Sequence, residues 1–599
     1  MEKLNEVWNL TPLLSGDEDP SINDKRKVIE HKYKEFASKW KDNSFISSPE
    51  KLKEALDEYE HLVKFYGGGG EESFYFELRS CQEQDNPKIK SKVNKIVEFT
   101  QKLGDEIRFF KLNLSKITED KQKSFLESEL LKDYKHLLET LFIEGKYLLS
   151  EKEEKILSLK SKVAYSNWES LTQEFLNKSE SEVIDPKTEE LSVKSFNEIQ
   201  GILLSKDDSI RNRASEEFDR IVTKFEDVAE AEINSLLENK KIDDELRKMP
   251  RPDFDRHLDD DIDSEVVDTL IKVISDNFNI ARRFYTLKAR LLGKNKFLYN
   301  DRNVEYSSAD KTYTYSESVE LVKKVFSNLD EEFIDIFNGF LENGQIDVFP
   351  RKGKRGGAFC TDFLISLPTF IMLNHTGNLK DVLTLAHEVG HGINHQMMKK
   401  SQNALNFGTP KSTAEVASTF MEDFVLQELL KEADDELRLG LLISKLQGDI
   451  TTIFRQAACY KFEQEIHKKF REIGYLSKKD IEDLFEDNMF AYLGEAFEKS
   501  DSMRKGWIYW PHIRDFFYVY SYSSGLLISK FMQKKLKEDK SFITHIKEFL
   551  SSGTSDSPKN IFLKMEINIS EEKFWKDGLS EINELLDEVE TLAKKLGKI

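Results

Sequence analysis

LTLAHEVGHGINHQ, residues 383–396, decides how this chain is read. It carries three histidines, His387, His391 and His395, each four residues after the last, with Glu388 directly behind the first. The apolar residues Val382, Leu383, Leu385, Ala386 and Val389 recur at helical spacing, so residues 381–399 are expected to form one helix. In a helix, positions i and i+4 lie on one face, about 6 Å apart along the axis. His387 and His391 can therefore meet one metal ion. Glu388 is turned by about 100° and can lean toward a water on that ion. His395 lies about 12 Å beyond His387 along the axis and is rotated by about 80°. Zinc bonds of about 2.0–2.1 Å cannot gather all three rings, so His395 is expected to be a polar residue near the helix end. The known spacing that does supply a third histidine, ten residues after the first, meets Met397 instead.

The missing ligand is sought in the next segment, TPKSTAEVASTFMEDFVLQELL, residues 409–430. It opens with Thr-Pro, and Ser412 or Thr413 is expected to cap a helix whose first turn holds Glu415. Val416, Ala417 and Phe420 give that helix a packing face. Glu415 as third ligand yields two histidines, one carboxylate and an open position, the catalytic zinc arrangement. Glu422 is seven residues on, on the same face. It suits a supporting role, holding a histidine ring by its other nitrogen. One zinc ion per chain is expected.

Outward from this motif, the chain reads as mainly α. Proline is scarce, 12 in 599 residues, and residues 24–64, 86–116, 120–178 and 192–247 mix apolar and charged residues at helical spacing. Gly67 to Gly70 form a turn between helices, with no strand before them and no Lys-Ser/Thr after them to make a phosphate cradle. Strand signals cluster at 340–375, where IDVFPRKGKRGGAFCTDFLISLPTFIMLN carries short β-rich runs bounded by Gly and Pro. The expected fold is a large multi-helix body with a small sheet beside the metal helix. SEVIDPKTEELS (181–192) reads as a linker, dividing an N-terminal helical region, 1–190, from a catalytic domain, 191–599. SSGTSDSPK (551–559) reads as a second linker. The net charge of −21 argues against a nucleic-acid partner. Three scattered cysteines imply no disulfide framework. No apolar run of about 18 residues is present to span a membrane, and no basic start precedes an apolar stretch, so the expected location is the cytoplasm.

DVLTLAHEVGHGINHQ together with TPKSTAEVASTFMEDF resembles the oligoendopeptidase F branch of the thimet-oligopeptidase family of zinc peptidases. GGAFCTDF, FIMLNHTGNLKDV, TIFRQAACYKFE, RDFFYVYSYSSG and SSGTSDSPKNIFLK extend the resemblance over roughly residues 200–590, and DDSIRNRASEEF and FYTLKARLLG are similar to the start of the family's catalytic domain. The resemblance implies a helical body enclosing a deep substrate channel. It implies a metalloendopeptidase that cuts short peptides, with His387, His391 and Glu415 on the metal and Glu388 as general base. It also implies an extended peptide on the strand near Gly357, Ala358 and Phe359. GWIYWPHIRDFFYVYSYSSG (506–525) is dense in aromatic rings, and most of them read as core. His512 follows Pro511, a helix-start position. The family uses a histidine and tyrosines of this region as donors to the oxyanion. Counting from the downstream side favours Tyr522, whereas a continuous helix from 512 favours Tyr520. Two rival readings stand beside this one. A zinc exopeptidase would anchor a peptide end on Arg351, Lys352, Lys354 or Arg355, and a non-enzymatic helical scaffold would carry an inactive site.

Overall fold

The computed structural model describes residues 4–306 and 312–599. Helices dominate. The expected run at 24–64 is Ile22–Trp40 and Pro49–Tyr66, and the run at 86–116 is the helix Pro87–Ser115. Two sheets are present among the described residues. The first is a hairpin of β1 (Glu180–Ile184) and β2 (Leu191–Ser195), and the second is formed by β3 (Ile346–Asp347), β4 (Phe359–Thr361) and β5 (Phe370–Met372).

The hairpin corrects the linker expected at 181–192. Glu180 pairs with Ser195 and Ile184 with Leu191 in antiparallel register, and Lys194 reaches across to Asp185 at 2.6 Å. Alternating polar and β-branched residues on both sides of Asp185-Pro186 are hairpin chemistry, which the Pro and the charges had masked. The other features behave as expected. Gly67–Gly69 is a short turn between helices, with Gly68, Gly69 and Gly70 all in the left-handed region, and residues 553–557 join two helices.

The chain forms two compact units. One comprises the described residues of Met1–Lys146, Asp310–Lys431 and Lys535–Glu566; the other comprises those of Tyr147–Ala309, Glu432–Lys534 and Ile567–Ile599. This division runs across the sequence boundary at 190/191 instead of along it.

In the first unit, one core gathers Phe36, Trp40, Phe45, Tyr59 and Phe110 between the N-terminal helices. A second core packs Trp8, Phe74 and Leu78 against Phe370 and Met372 of β5. The Trp8 indole donates to the Ile371 carbonyl at 2.8 Å, so the N-terminal segment is tied directly to the small sheet. The strand order is β3-β5-β4, with β3 parallel and β4 antiparallel to β5. β4 therefore lies at the edge.

The second unit buries arginines against carboxylates. Arg211 meets Asp301 at 2.7 Å and Arg514 meets Glu232 at 2.7 Å, with both guanidiniums almost fully enclosed. No helix among the described residues is long and apolar enough to cross a membrane.

Candidate metal centre and active site

The histidine-bearing helix runs from Leu379 to Ser401. Asn378 caps it in a reciprocal box with Asp381, whose carboxylate also receives the main-chain N–H groups of Thr376 and Gly377. Val382, Leu385, Ala386 and Val389 are fully buried, which fixes the rotation of the helix. Glu415 stands immediately before the helix Val416–Glu432, and its carbonyl accepts from Thr419 N. Glu415 itself is thus the first residue of that helix's cap; Ser412 and Thr413, expected there, sit in the preceding 3-10 turn. The Ser418 hydroxyl donates to Glu415 Oε2 at 2.9 Å and steadies the carboxylate.

A glycine lets the two helices approach. A Cβ on Gly390 would lie 2.8 Å from both the Ala417 carbonyl oxygen and Ser418 Cα. That glycine, between Glu388 and His391, allows Glu415 to come up to the histidines.

The resulting geometry is specific. His387 Nε2 lies 3.3 Å from Glu415 Oε2, and His391 Nε2 lies 3.5 Å from the same oxygen. Ligands at about 2.1 Å on a tetrahedral ion are about 3.4 Å apart, so the separations fit a zinc-sized ion. Among the described residues, His387, His391 and Glu415 are the one group of this kind, with ligand atoms within 4.8 Å of one another. Glu422 Oε2 lies 3.0 Å from His387 Nδ1 and so fixes the ring by the nitrogen that faces away from Glu415. Burial alone would pull the His387 pKa down; the Glu415 and Glu422 carboxylates outweigh it and hold it up at about 10. Burial works against ionisation of Glu415 as well, but the two imidazoles hold it far below the carboxylate range. The site thus calls for positive charge between three ligand atoms. Glu388 is buried, and burial raises its pKa above the ordinary value while the imidazoles of His387 and His391 oppose it.

His395 lies outside this group, as helix geometry requires, but it is not at the helix end. It sits two turns before Ser401, with Nδ1 3.8 Å from Cys360 Sγ and Nε2 3.7 Å from Asp362 Oδ1. It links the helix to the edge strand. The Cys360 N–H points at the Glu388 carboxylate, so β4 also touches the residue expected to act as base. The sequence placed Cys360 at the end of the expected peptide-binding strand, Gly357–Cys360, and did not connect it to His395 or Glu388. Of the expected strand contacts, Gly357 has its carbonyl engaged by Asn374 Nδ2 at 2.6 Å, and the Phe359 ring packs on Trp8 at 6.3 Å. Ala358 is half-buried. The basic turn is largely occupied. Arg351 grips Asp347 with two bonds of 2.7 and 2.8 Å, Lys354 is buried 2.8 Å from the same carboxylate, and Arg355 lies over the Phe359 ring at 5.2 Å.

The second cluster lies in the other unit. Pro511–Arg514 form a 3-10 turn, and Arg514 is held by Glu232 and by the carbonyls of Trp510 and Ile508. Phe517 is in the left-handed region at φ 65°, and its N–H is accepted by Glu463 Oε1 at 2.9 Å. The chain reverses there, and a new helix starts at Tyr520. This break defeats the expectation that His512 and Tyr520 share a helix face. The Tyr520 hydroxyl is buried and donates to Asp260 Oδ2 at 2.8 Å. His512 instead stacks on Tyr518 at 5.3 Å and meets Tyr522 at 5.9 Å. Tyr518, not among the expected residues, belongs to this group. Burial, then the positive charge of Arg455, lowers the His512 pKa, so the ring is a neutral N–H donor near pH 7. Burial, then Tyr522, pushes Tyr518 upward, so its hydroxyl stays protonated.

The sequence profile of peptidase family M3 matches residues 202–581. The chain belongs to peptidase family M3. It is a metalloendopeptidase of that family, and the profile named Oligopeptidase F matches residues 113–178. The chain is 26% identical to oligopeptidase PepF of Bacillus subtilis (strain 168) over 600 residues, which cover 99% of this chain and 88% of that one. It is 25% identical to group B oligopeptidase PepB of Streptococcus agalactiae over 599 residues, covering 98% and 97% of the two chains. The fold is shared with oligoendopeptidase F from Enterococcus faecium at a TM-score of 0.71 and 18% identity, over 96% of this chain and 99% of that one. It is also shared with a solved structure from Chlamydophila abortus at a TM-score of 0.84 and 22% identity, over 98% of each chain.

Proposed function

We propose that this M3 peptidase hydrolyses internal bonds of short oligopeptides, with zinc held by His387, His391 and Glu415. The observation that carries the reading is the pair of 3.3 and 3.5 Å separations around Glu415 Oε2, beside a buried Glu388. A zinc ion there would supply Lewis acidity, making a water acidic enough to deprotonate near neutral pH and polarising the scissile carbonyl. Glu388 accepts the proton of the attacking water and delivers it to the leaving amine. Its burial favours the protonated state more than free solvent would, which suits a group that must both take and return a proton. Glu422 holds the His387 ring so that Nε2 stays aimed at Glu415. His512 is the proposed donor to the oxyanion, with Tyr522 or Tyr518 beside it. The support for this is the family resemblance, the neutral imidazole and the local stacking of the three rings. Tyr520 is withdrawn from this role because its hydroxyl is committed to Asp260.

The edge of β4 offers main-chain groups to an extended peptide, a contact that carries little side-chain selectivity. The peptide would run beside Ala358 and Cys360, while Gly357 and Phe359 shape the strand. The exopeptidase reading loses two of its four candidate anchors, since Arg351 and Lys354 are bound internally to Asp347. A cytoplasmic site of action completes the proposal. The test is cleavage of internally quenched peptides of graded length, blocked at both ends, with and without a chelator. Cutting of the blocked peptides that stops on zinc removal and falls off for long chains is expected. Failure to cut any peptide lacking a free terminus would overturn the endopeptidase reading.

A further inference from the structure

Phe517 divides the His512 cluster in the chain. His512 precedes it, in the turn Pro511–Arg514, and Tyr518 and Tyr522 follow it. The His512 and Tyr518 rings are stacked with their planes 16° apart, and the Tyr518 and Tyr522 rings are 5.8 Å apart. That arrangement depends on the reversal at Phe517, whose φ of 65° a bulky L residue avoids and whose side chain is almost wholly buried. Strain of this kind persists only where the surroundings enforce it, and it gathers at functional sites.

Several contacts brace the reversal. His467 packs its ring on Phe516 at 4.3 Å and on Phe517 at 4.6 Å, and Tyr460 meets Phe517 at 5.7 Å. Arg256 reaches Asp515 at 3.2 Å, and the Tyr165 hydroxyl donates to the Arg514 carbonyl at 2.6 Å. These hold side chains and flanking residues. Among the described residues only Glu463 takes the Phe517 N–H itself, on Oε1 at 2.9 Å. Tyr460, Glu463 and His467 are three and four residues apart, on one face of the helix Gln456–Ile473. Glu463 is fully enclosed, and its Oε2 has no partner. Burial pushes its pKa well above the usual carboxylate range, so the side chain is a neutral acid near pH 7. A leucine would fill similar space without burying a polar group. What the acid supplies, and a leucine cannot, is an acceptor within reach of the Phe517 N–H.

We propose that Glu463 is a positioning residue for the peptidase reaction: by accepting from Phe517 N it fixes the left-handed turn that sets His512 against Tyr518 and Tyr522. The inference rests on the reading of those rings as donors to the oxyanion. Being enclosed, Glu463 itself meets no substrate and acts through the turn alone. It works by the length of its side chain and its acceptor oxygen, not by negative charge.

The test compares the full-length wild type with Glu463→Gln, Glu463→Leu and Glu463→Asp. Three quantities are measured: kcat and KM on a blocked quenched peptide, bound metal, and amide hydrogen exchange of the segment 511–520. Glu463→Gln keeps length and acceptor, so turnover and exchange are expected to stay near those of the wild type. Glu463→Leu removes the acceptor; the segment should exchange faster and kcat fall about 10–100-fold, with KM and metal content unchanged. Glu463→Asp keeps the acid but draws the acceptor back, and should fall between the two; it carries the test if Glu463→Leu does not fold. Equal losses of kcat in Glu463→Gln and Glu463→Leu would mean that the residue only packs, and would overturn the proposal. Unmoved exchange in Glu463→Leu would overturn it too, while leaving the His512 reading standing. Faster exchange with undiminished kcat would overturn it through the His512 reading, since the turn would then be held by Glu463 but not needed for turnover.

Discussion

The metal centre and the His512 cluster are built by opposite means. His387, Glu388 and His391 ride one uninterrupted helix, Leu379–Ser401, and the helical repeat alone sets their spacing. His512, Tyr518 and Tyr522 are brought together where helices fail: a 3-10 turn, a left-handed Phe517 and a fresh helix start at Tyr520. The first region is rich in carboxylates that raise the affinity for a cation. The second holds neutral rings between Arg455 and the carboxylate of Asp515, a place for donors. Regular structure places the groups that must share one small ion, and irregular structure presents rings that a helix would have dispersed.

The largest effects are expected in the first region. Glu388→Gln keeps size and hydrogen bonding but cannot take a proton, so kcat is expected to fall by about 10²–10⁴-fold with metal content unchanged. Peptide cleavage alongside zinc analysis checks this, and turnover equal to the wild type's in the variant would remove Glu388 from the role of base. His512→Ala tests the second region. A lost oxyanion donor costs about 10²–10³-fold in kcat, with little change in KM. A loss confined to KM would make the cluster a substrate platform and break the contrast with the metal centre.

Next comes Glu422→Ala, which frees the His387 ring at Nδ1 and leaves the three ligands in place. Metal affinity is expected to drop about 10–100-fold, measured by competition with a chelator. An unchanged affinity would show that packing, not Glu422, orients the ring.

The same contrast explains what was legible in the sequence. The helix 381–399, and the convergence of His387, His391, Glu415 and Glu422, followed from periodicity and spacing, because a helix converts residue number into direction. The three short strands followed from Gly and Pro punctuation of β-rich runs. The hairpin at 180–195 was missed because Pro186 and the charged residues around it masked the short polar and β-branched alternation of its two strands. Tyr518 was missed and Tyr520 misplaced for one reason. The left-handed φ of Phe517 depends on Glu463, a buried acid more than fifty positions earlier, and no local pattern announces it. His395 lies outside the His387, His391 and Glu415 group, but its contact with Cys360 and Asp362 was not anticipated, because it forms only when the sheet docks on the helix.

The second region also predicts acid sensitivity. His257 is buried between Ser264 Oγ, 2.9 Å from Nδ1, and Tyr460 OH, 2.8 Å from Nε2, and Tyr460 in turn donates to Asp253. Burial, only partly offset by Asp253, lowers its pKa from 6.5 to about 4. The unfolded chain therefore binds the proton first, and stability falls as pH drops through this window. The loss is on the order of 3 kcal/mol once His257 charges. Thermal melts between pH 7 and pH 4 should lose that slope in His257→Gln; the same slope in both proteins would assign it to other groups.

The smallest expected effect separates two tyrosines that are two residues apart on one helix. Tyr520→Phe removes the donor to the buried Asp260, leaving a carboxylate oxygen without its partner in a closed site. That costs about 1–3 kcal/mol of stability and lowers the melting temperature. Because the hydroxyl already points into the core, kcat is expected to stay within about two-fold of wild type. Tyr522→Phe should do the reverse, because Tyr522 is half-buried and its ring lies against His512, so the hydroxyl it loses belongs to the donor cluster. A variant pair in which Tyr520→Phe loses turnover and Tyr522→Phe loses only stability would reverse the assignment, and would mean that the chain break at Phe517 rearranges when substrate binds.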